Sequence, residues 1–172
     1  MEMTIEGERV RLRPLSRDDL PARARWTADD ELAQMMGVDT EAEPFVSPEE
    51  ELRGNCEWFA QRLRANALLY AIEVQGRYIG DIDLTIDTST REAVVSVFIG
   101  DRSQWDKGYG TESLQLLLDS LANDGTARVV LATTVAKCNA RAHHFWQKLG
   151  FRPREETAKA TTYALRLSDQ GG

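Results

Sequence analysis

Polar and apolar positions recur along this chain in short blocks that can be assigned one at a time. Arg9-Val10-Arg11-Leu12-Arg13 alternates with a period of two and predicts a half-buried first strand. Its three arginines share the outer face, where solvated edge charge accounts for them. Ser16-Arg17-Asp18-Asp19 has the form of a capping box and predicts a first helix to about Met35, ended by Gly37. A loop over residues 37–46 follows, carrying Asp39, Glu41 and Glu43. Ser47-Pro48-Glu49-Glu50 then predicts a second helix start, with Ser as cap, Pro at the first helical position and acids in the first turn. Leu52, Cys56, Phe59 and Leu63 are its expected buried stripe, with Trp58 packed to one side.

Residues 68–74, 78–86 and 93–99 read as three strands joined by short turns, an antiparallel meander. Leu114, Leu117, Leu118 and Leu121 recur at helical spacing. Residues 128–135 predict another strand, and 139–149 a helix whose face is Ala142, Phe145, Trp146 and Leu149, capped by Gly150. Residues 151–156 and 161–167 make a last hairpin, and 169–172 a frayed tail. The order β-α-α-β-β-β-α-β-α-β-β predicts an α+β fold in α/β/α layers. Its mixed, mostly antiparallel sheet has about seven strands, flanked by about four helices.

Composition narrows the function classes. A length of 172 residues suits one domain, 1–172, and 42% hydrophobic with 28% charged residues is ordinary for a soluble protein. The net charge of −7 argues against nucleic acid and suits a cationic small molecule or a basic peptide. The start shows no signal peptide and no run approaches membrane-spanning length, so no membrane partner is expected. Cys56 and Cys138 suit a reducing compartment, and the expected location is cytoplasmic. No metal-ligand cluster and no nucleophile–base pair stands out, so no metal is expected.

The chemistry concentrates in Trp105-Asp106-Lys107-Gly108-Tyr109-Gly110-Thr111-Glu112, a turn between a strand and the Leu-rich helix. Gly108 and Gly110 permit unusual backbone angles and close approach to bare main chain. A helix start also presents unpaired N–H groups at the positive end of the helix dipole, which suits phosphate. The P-loop order is absent, and Ser113 stands where a dinucleotide fingerprint needs its third glycine.

Strand, glycine turn, Leu-rich helix, strand, Asn139 and Lys148-Leu149-Gly150-Phe151, in that order, resemble the GNAT superfamily of acetyl-CoA-dependent N-acetyltransferases. Within it the chain looks most like the branch of ribosomal-protein N-terminal acetyltransferases. Gly108 and Gly110 match the glycines of the signature Gln/Arg-x-x-Gly-x-Gly/Ala, and Trp105 stands at its first position. The resemblance implies a V-shaped splay between strands 93–99 and 128–135 that takes the pantetheine arm. It also implies acetyl-CoA as co-substrate, with direct attack by a primary amine on a small molecule or protein N-terminus. Cofactor contacts are expected from Phe98 and Ile99, from Trp105, Lys107, Gly108, Tyr109, Gly110 and Thr111, and from Asn139, which is also a helix N-cap.

Two positions depart from that pattern. Trp146 stands where many members carry a Tyr that protonates the departing thiolate, and Val94 where this branch often carries a Glu. Asp81 and Asp83, two apart on one strand face, are substitute candidates for proton transfer, with Trp146 kept at the acid position. The departures also motivate an alternative reading, an acyl-CoA-binding or sensing module with weak or lost catalysis. In the resembled fold the acceptor enters over the loop between the first two helices. Asp39, Glu41 and Glu43 are therefore the expected acceptor residues, and the acceptor is expected to be cationic. Only residues 157–160 join the last two strands, which suggests an open site or one completed by a second copy in a homodimer.

Overall fold

The computed structural model describes residues 4–35 and 46–168. Eight strands form one sheet in the order β1-β2-β3-β4-β5-β6-β8-β7. They are β1 (Ile5–Glu6), β2 (Val10–Pro14), β3 (Leu68–Val74), β4 (Arg77–Asp87), β5 (Glu92–Ile99), β6 (Val129–Ala136), β7 (Arg152–Glu156) and β8 (Ala160–Arg166). The helices are α1 (Leu20–Thr27), α2 (Asp30–Met35), α3 (Pro48–Arg64), α4 (Tyr109–Asp124) and α5 (Ala140–Lys148). Every pair is antiparallel except β5 with β6. Among the described residues no helix is long and apolar enough to cross a membrane.

Local signals set most element ends. The Ser47 hydroxyl accepts the Glu50 N–H at 3.2 Å, while the Glu50 carboxylate accepts the Ser47 N–H at 3.1 Å, closing the box that starts α3. The expected first helix is in fact two. α1 stops at Thr27, and Asp29 starts α2 by accepting the N–H groups of Glu31 at 3.0 Å and Leu32 at 3.1 Å. The sheet has eight strands rather than seven because Ile5–Glu6 pairs with β2, a two-residue strand too short for any periodic signal. Leu63 is 48% exposed and not part of the α3 stripe. The buried face turns toward Asn55 and Phe59.

Strand alternation sends the two sides of the sheet to different partners. Ile82 and Leu84 of β4, Ala93 and Val95 of β5, and Val130 and Ala132 of β6 meet Leu114, Leu117, Leu118 and Leu121 of α4 and Trp146 of α5. Burying each such aliphatic side chain contributes roughly 1.5–3 kcal/mol. The other side carries a smaller core of Leu15, Leu20, Phe59, Ala67, Leu69 and Ala71, with Trp58 packed against it.

One interruption of the sheet matters most. β5 and β6 pair only where Glu92, Ala93 and Val94 meet Val129, Val130 and Leu131. Beyond that the two strands diverge. The expected splay is present, and among the described residues it leaves the edge of β5 from Val95 to Ile99 without a strand partner on the β6 side.

Candidate active site

The splay opens into a cleft of about 790 Å³ between β5, β6, the start of α4 and α5. Gly108 caps α4 in the left-handed region at φ 82°, which only glycine adopts at low cost. Phe98, Ile99, Trp105, Gly108, Tyr109, Gly110, Thr111 and Asn139 all line this cleft. Lys107 does not. Its side chain is exposed, and its carbonyl accepts from Arg9 Nη1 at 2.8 Å. The Trp105 indole N–H donates to the Ile99 carbonyl at 2.8 Å and ties the glycine turn to the end of β5. Asn139 caps α5 by accepting the Ala142 N–H at 3.1 Å.

The turn is latched from the far end of the chain. Glu112, in the first turn of α4, accepts the backbone N–H groups of Arg9 at 3.0 Å and Val10 at 2.8 Å, and Arg9 Nε at 3.1 Å. The Arg9 guanidinium also lies 5.0 Å from the Tyr109 ring centroid. Burial alone would raise the Glu112 pKa, but the Arg9 and Val10 hydrogen bonds outweigh it and hold the carboxyl below its ordinary value. Arg9 is therefore a structural latch and not the solvated edge charge expected of it. Arg13 likewise bridges Asp19 at 2.7 Å and Glu73 at 2.7 Å.

Arg141 is a cleft residue with no sequence signal of its own. It pairs with Asp106 at 2.9 Å, and its guanidinium lies 4.4 Å from the Trp105 ring centroid. On the opposite wall β6 bulges between Ala132 and Val135, and Thr134 is held at φ 54°. A β-branched residue there is strained by about 1–3 kcal/mol, and such strain concentrates at functional sites. Two residues further on, the Ala136 carbonyl accepts from His143 Nε2 at 2.9 Å. This tautomer leaves Nδ1 to accept the Tyr163 hydroxyl at 2.7 Å. Trp146 is 5% exposed, lines the cleft, and stacks edge-on against Phe145 and Phe151.

Asp81 and Asp83 share the sheet face that meets α1 and α3, and neither lines the cleft itself. Both Asp83 oxygens are taken by Arg62, at 2.6 and 2.7 Å. Asp81 differs. Its Oδ2 accepts from Arg23 Nε at 3.0 Å and from the Tyr78 hydroxyl at 2.7 Å, while among the described residues Oδ1 has no partner. Its register partner on β5 is Phe98, which does line the cleft. Burial is the largest influence on Asp81 and raises its pKa, against the opposing pull of Arg23 and Tyr78. Burial, then Asp81, raises the Tyr78 pKa, so this phenol stays a donor. Arg23 stacks 3.7 Å from the Trp58 ring centroid and donates through Nη1 to Asn55 at 2.7 Å. Asn55 is buried because that network satisfies it, donating in turn to Thr27 and Glu51 at 2.9 Å.

Asp39, Glu41 and Glu43 lie outside the described residues. Among the described residues no group of three His, Cys, Asp or Glu is placed to hold a metal ion. The site fits acetyl-CoA. The glycine turn offers bare N–H groups, Arg141 adds positive charge, and the free edge of β5 can pair with an extended amide-bearing arm. When bound, acetyl-CoA supplies the activated acyl group as a thioester.

Solved structures of similar shape carry the same architecture. A coenzyme A complex of RimL, a ribosomal alpha-N-protein acetyltransferase, matches with a TM-score of 0.78 at 17% identity, over 98% of this chain and 100% of that one. An acetyltransferase from Salmonella typhimurium that modifies the N-terminal serine of a 50S ribosomal subunit protein gives 0.74 at 17% identity, over 96% and 100%. An aminoglycoside acetyltransferase in complex with coenzyme A gives 0.73 at 17% identity, over 91% and 94%. At such identities the likeness establishes the fold. No curated protein matches the sequence. The family model of the GNAT acetyltransferase domain matches residues 9–152, well over half of the chain. The chain belongs to the GNAT acetyltransferases, which move an acetyl group from acetyl-CoA to an amine.

Proposed function

We propose that this acetyltransferase acts on a cationic primary amine, by direct attack with both substrates bound, and that Asp81, which lies behind Phe98 of the cleft wall, receives the amine proton through water. The observation that carries the reading is the single cleft that joins the free edge of β5 to the glycine turn of α4. Asp81 suits a base because one oxygen is anchored by Arg23 and Tyr78 while the other is unengaged. Burial raises its pKa above the ordinary carboxylate value, which makes its ionised form a stronger base. Asp83 is less suited to this role, since Arg62 occupies both of its oxygens. Trp146 is a wall of the site and not a proton donor, because an indole N–H is far too weak an acid.

The acceptor is a small-molecule amine or a protein N-terminus, the two kinds named for the structural neighbours. The net charge of −7 and the acids Asp39, Glu41 and Glu43 favour a cationic one. The β7–β8 turn spans residues 157–159 and is pinned by Thr157, so it adds little cover, and a second copy of the chain could complete the acceptor side. The test is release of coenzyme A across a panel of polyamines, aminoglycosides, amino-acid derivatives and N-terminal peptides. Turnover should be fastest with a cationic amine and should fall as salt is raised. Preference for a neutral or anionic acceptor would overturn the acceptor assignment. Binding of acetyl-CoA without turnover on any amine would favour an acyl-CoA-sensing module.

A further inference from the structure

We propose that the sheet face at the closed end of the β5–β6 pair is a second binding site, one that takes a compact polyanion bearing phosphate groups. A concavity of about 600 Å³ lies there, lined by Glu92, Arg152, Arg154 and Arg166 together with Val129 and Ala164. Among the described residues none lines both this concavity and the acetyl-CoA cleft.

The ladder brings the arginines together. Arg166 stands opposite Val129, and Glu92 stands beside Val129 on β5. Ala164 shares a strand face with Arg166 and pairs with Arg152 on β7. β5 and β7 are separated by β6 and β8 in the sheet, yet Arg154 Nη1 reaches Glu92 Oε1 at 3.1 Å. These two long side chains thus reach toward each other over the intervening strands, and three arginines line one hollow.

Charge and position both point to an anion. Three arginines against one glutamate give this hollow a local charge of +2 in a chain whose net charge is −7. Glu92 engages Arg154, while among the described residues no carboxylate lies within ion-pair distance of Arg152 or Arg166. Charged residues on an edge strand often serve only to block pairing with another sheet, and β7 is such an edge. That account does not cover Arg166, which lies on the inner strand β8. Guanidinium forks match phosphate oxygens in pairs, so the preferred ligand carries two or more phosphate groups.

The test is calorimetric titration with inorganic pyrophosphate at low ionic strength, on protein saturated with coenzyme A so that the glycine turn is filled. One site per chain is expected. The double variant Arg152→Ala/Arg166→Ala should weaken it about tenfold or more, with melting temperature and acetyl transfer unchanged. Glu92→Gln, which removes the competing carboxylate from Arg154, should tighten it several-fold. Three results would each overturn the proposal: no pyrophosphate binding at millimolar concentration, equal affinity in the double variant, or binding of a hexaglutamate peptide in place of pyrophosphate.

Discussion

On the α4/α5 side of the sheet, β4 presents Ile82 and Leu84 to a wall of leucines, and every one of these side chains is nearly or fully buried. On the α1/α3 side the same strand presents Asp81 and Asp83, and the helices answer with Arg23, Asn55 and Arg62. The first side holds the scaffold through area removed from water, which is tolerant of detail. The second holds charged groups in fixed geometry at a desolvation cost that the pairings only partly offset. The proton transfer proposed for Asp81 needs the second kind of environment, and a stable sheet supplies the first to support it.

The two sides should respond differently to mutation. The largest effect is expected from Asp81→Asn, which keeps the hydrogen-bonding shape but removes the proposed base. kcat/KM should fall by about a hundred- to ten-thousand-fold. The wild-type profile should rise with pH through a value above the ordinary carboxylate range, because Asp81 must be ionised and burial raises its pKa. The variant should lose that limb. The same raised pKa gives a stability contribution present below the ordinary value and lost as pH rises through the raised one.

Next in size is Arg23→Met, which strands a carboxylate that is 3% exposed and should cost about 3–5 kcal/mol in denaturant unfolding. Adding Asp81→Leu should recover most of that loss without recovering activity. On the leucine side, Leu117→Ala should cost about 2–5 kcal/mol through a cavity, yet leave the KM for acetyl-CoA near wild type. If it instead raised that KM strongly, the division between scaffold and site would be wrong. The smallest effect is expected from Glu112→Gln, which weakens the latch on the glycine turn and should raise the KM for acetyl-CoA about three- to tenfold. Because the Glu112 pKa is lowered, the latch is intact above the ordinary carboxylate value and is lost as pH falls through the lowered one. A steady-state KM series from neutral to acid pH checks this.

What the sequence made legible was local. The Ser47 box, the leucine stripe of α4 and the glycine turn are written within a few residues of one another, so their elements could be assigned directly. The roles of Arg9 and Glu112 could not, since these residues meet across 103 positions. Nor could the difference between Asp81 and Asp83, which share a strand face but depend on which arginine each helix delivers. Leu63 misled for the same reason. Spacing gave the stripe of α3, while the packing of α1 decided that the buried face would centre on Asn55 and Phe59.

The central claim is that the glycine turn at the start of α4 holds the phosphate end of acetyl-CoA. It is tested most directly by calorimetric titration of acetyl-CoA into the wild-type protein and Gly110→Glu. A Cβ at Gly110 would meet Phe145 at 3.4 Å and Ile99 at 3.8 Å, so the change should not unfold the protein. The carboxylate would instead stand among the N–H groups of the turn. The account predicts that binding is lost while the melting temperature of the free protein shifts little. Equal affinity in an intact variant would contradict it.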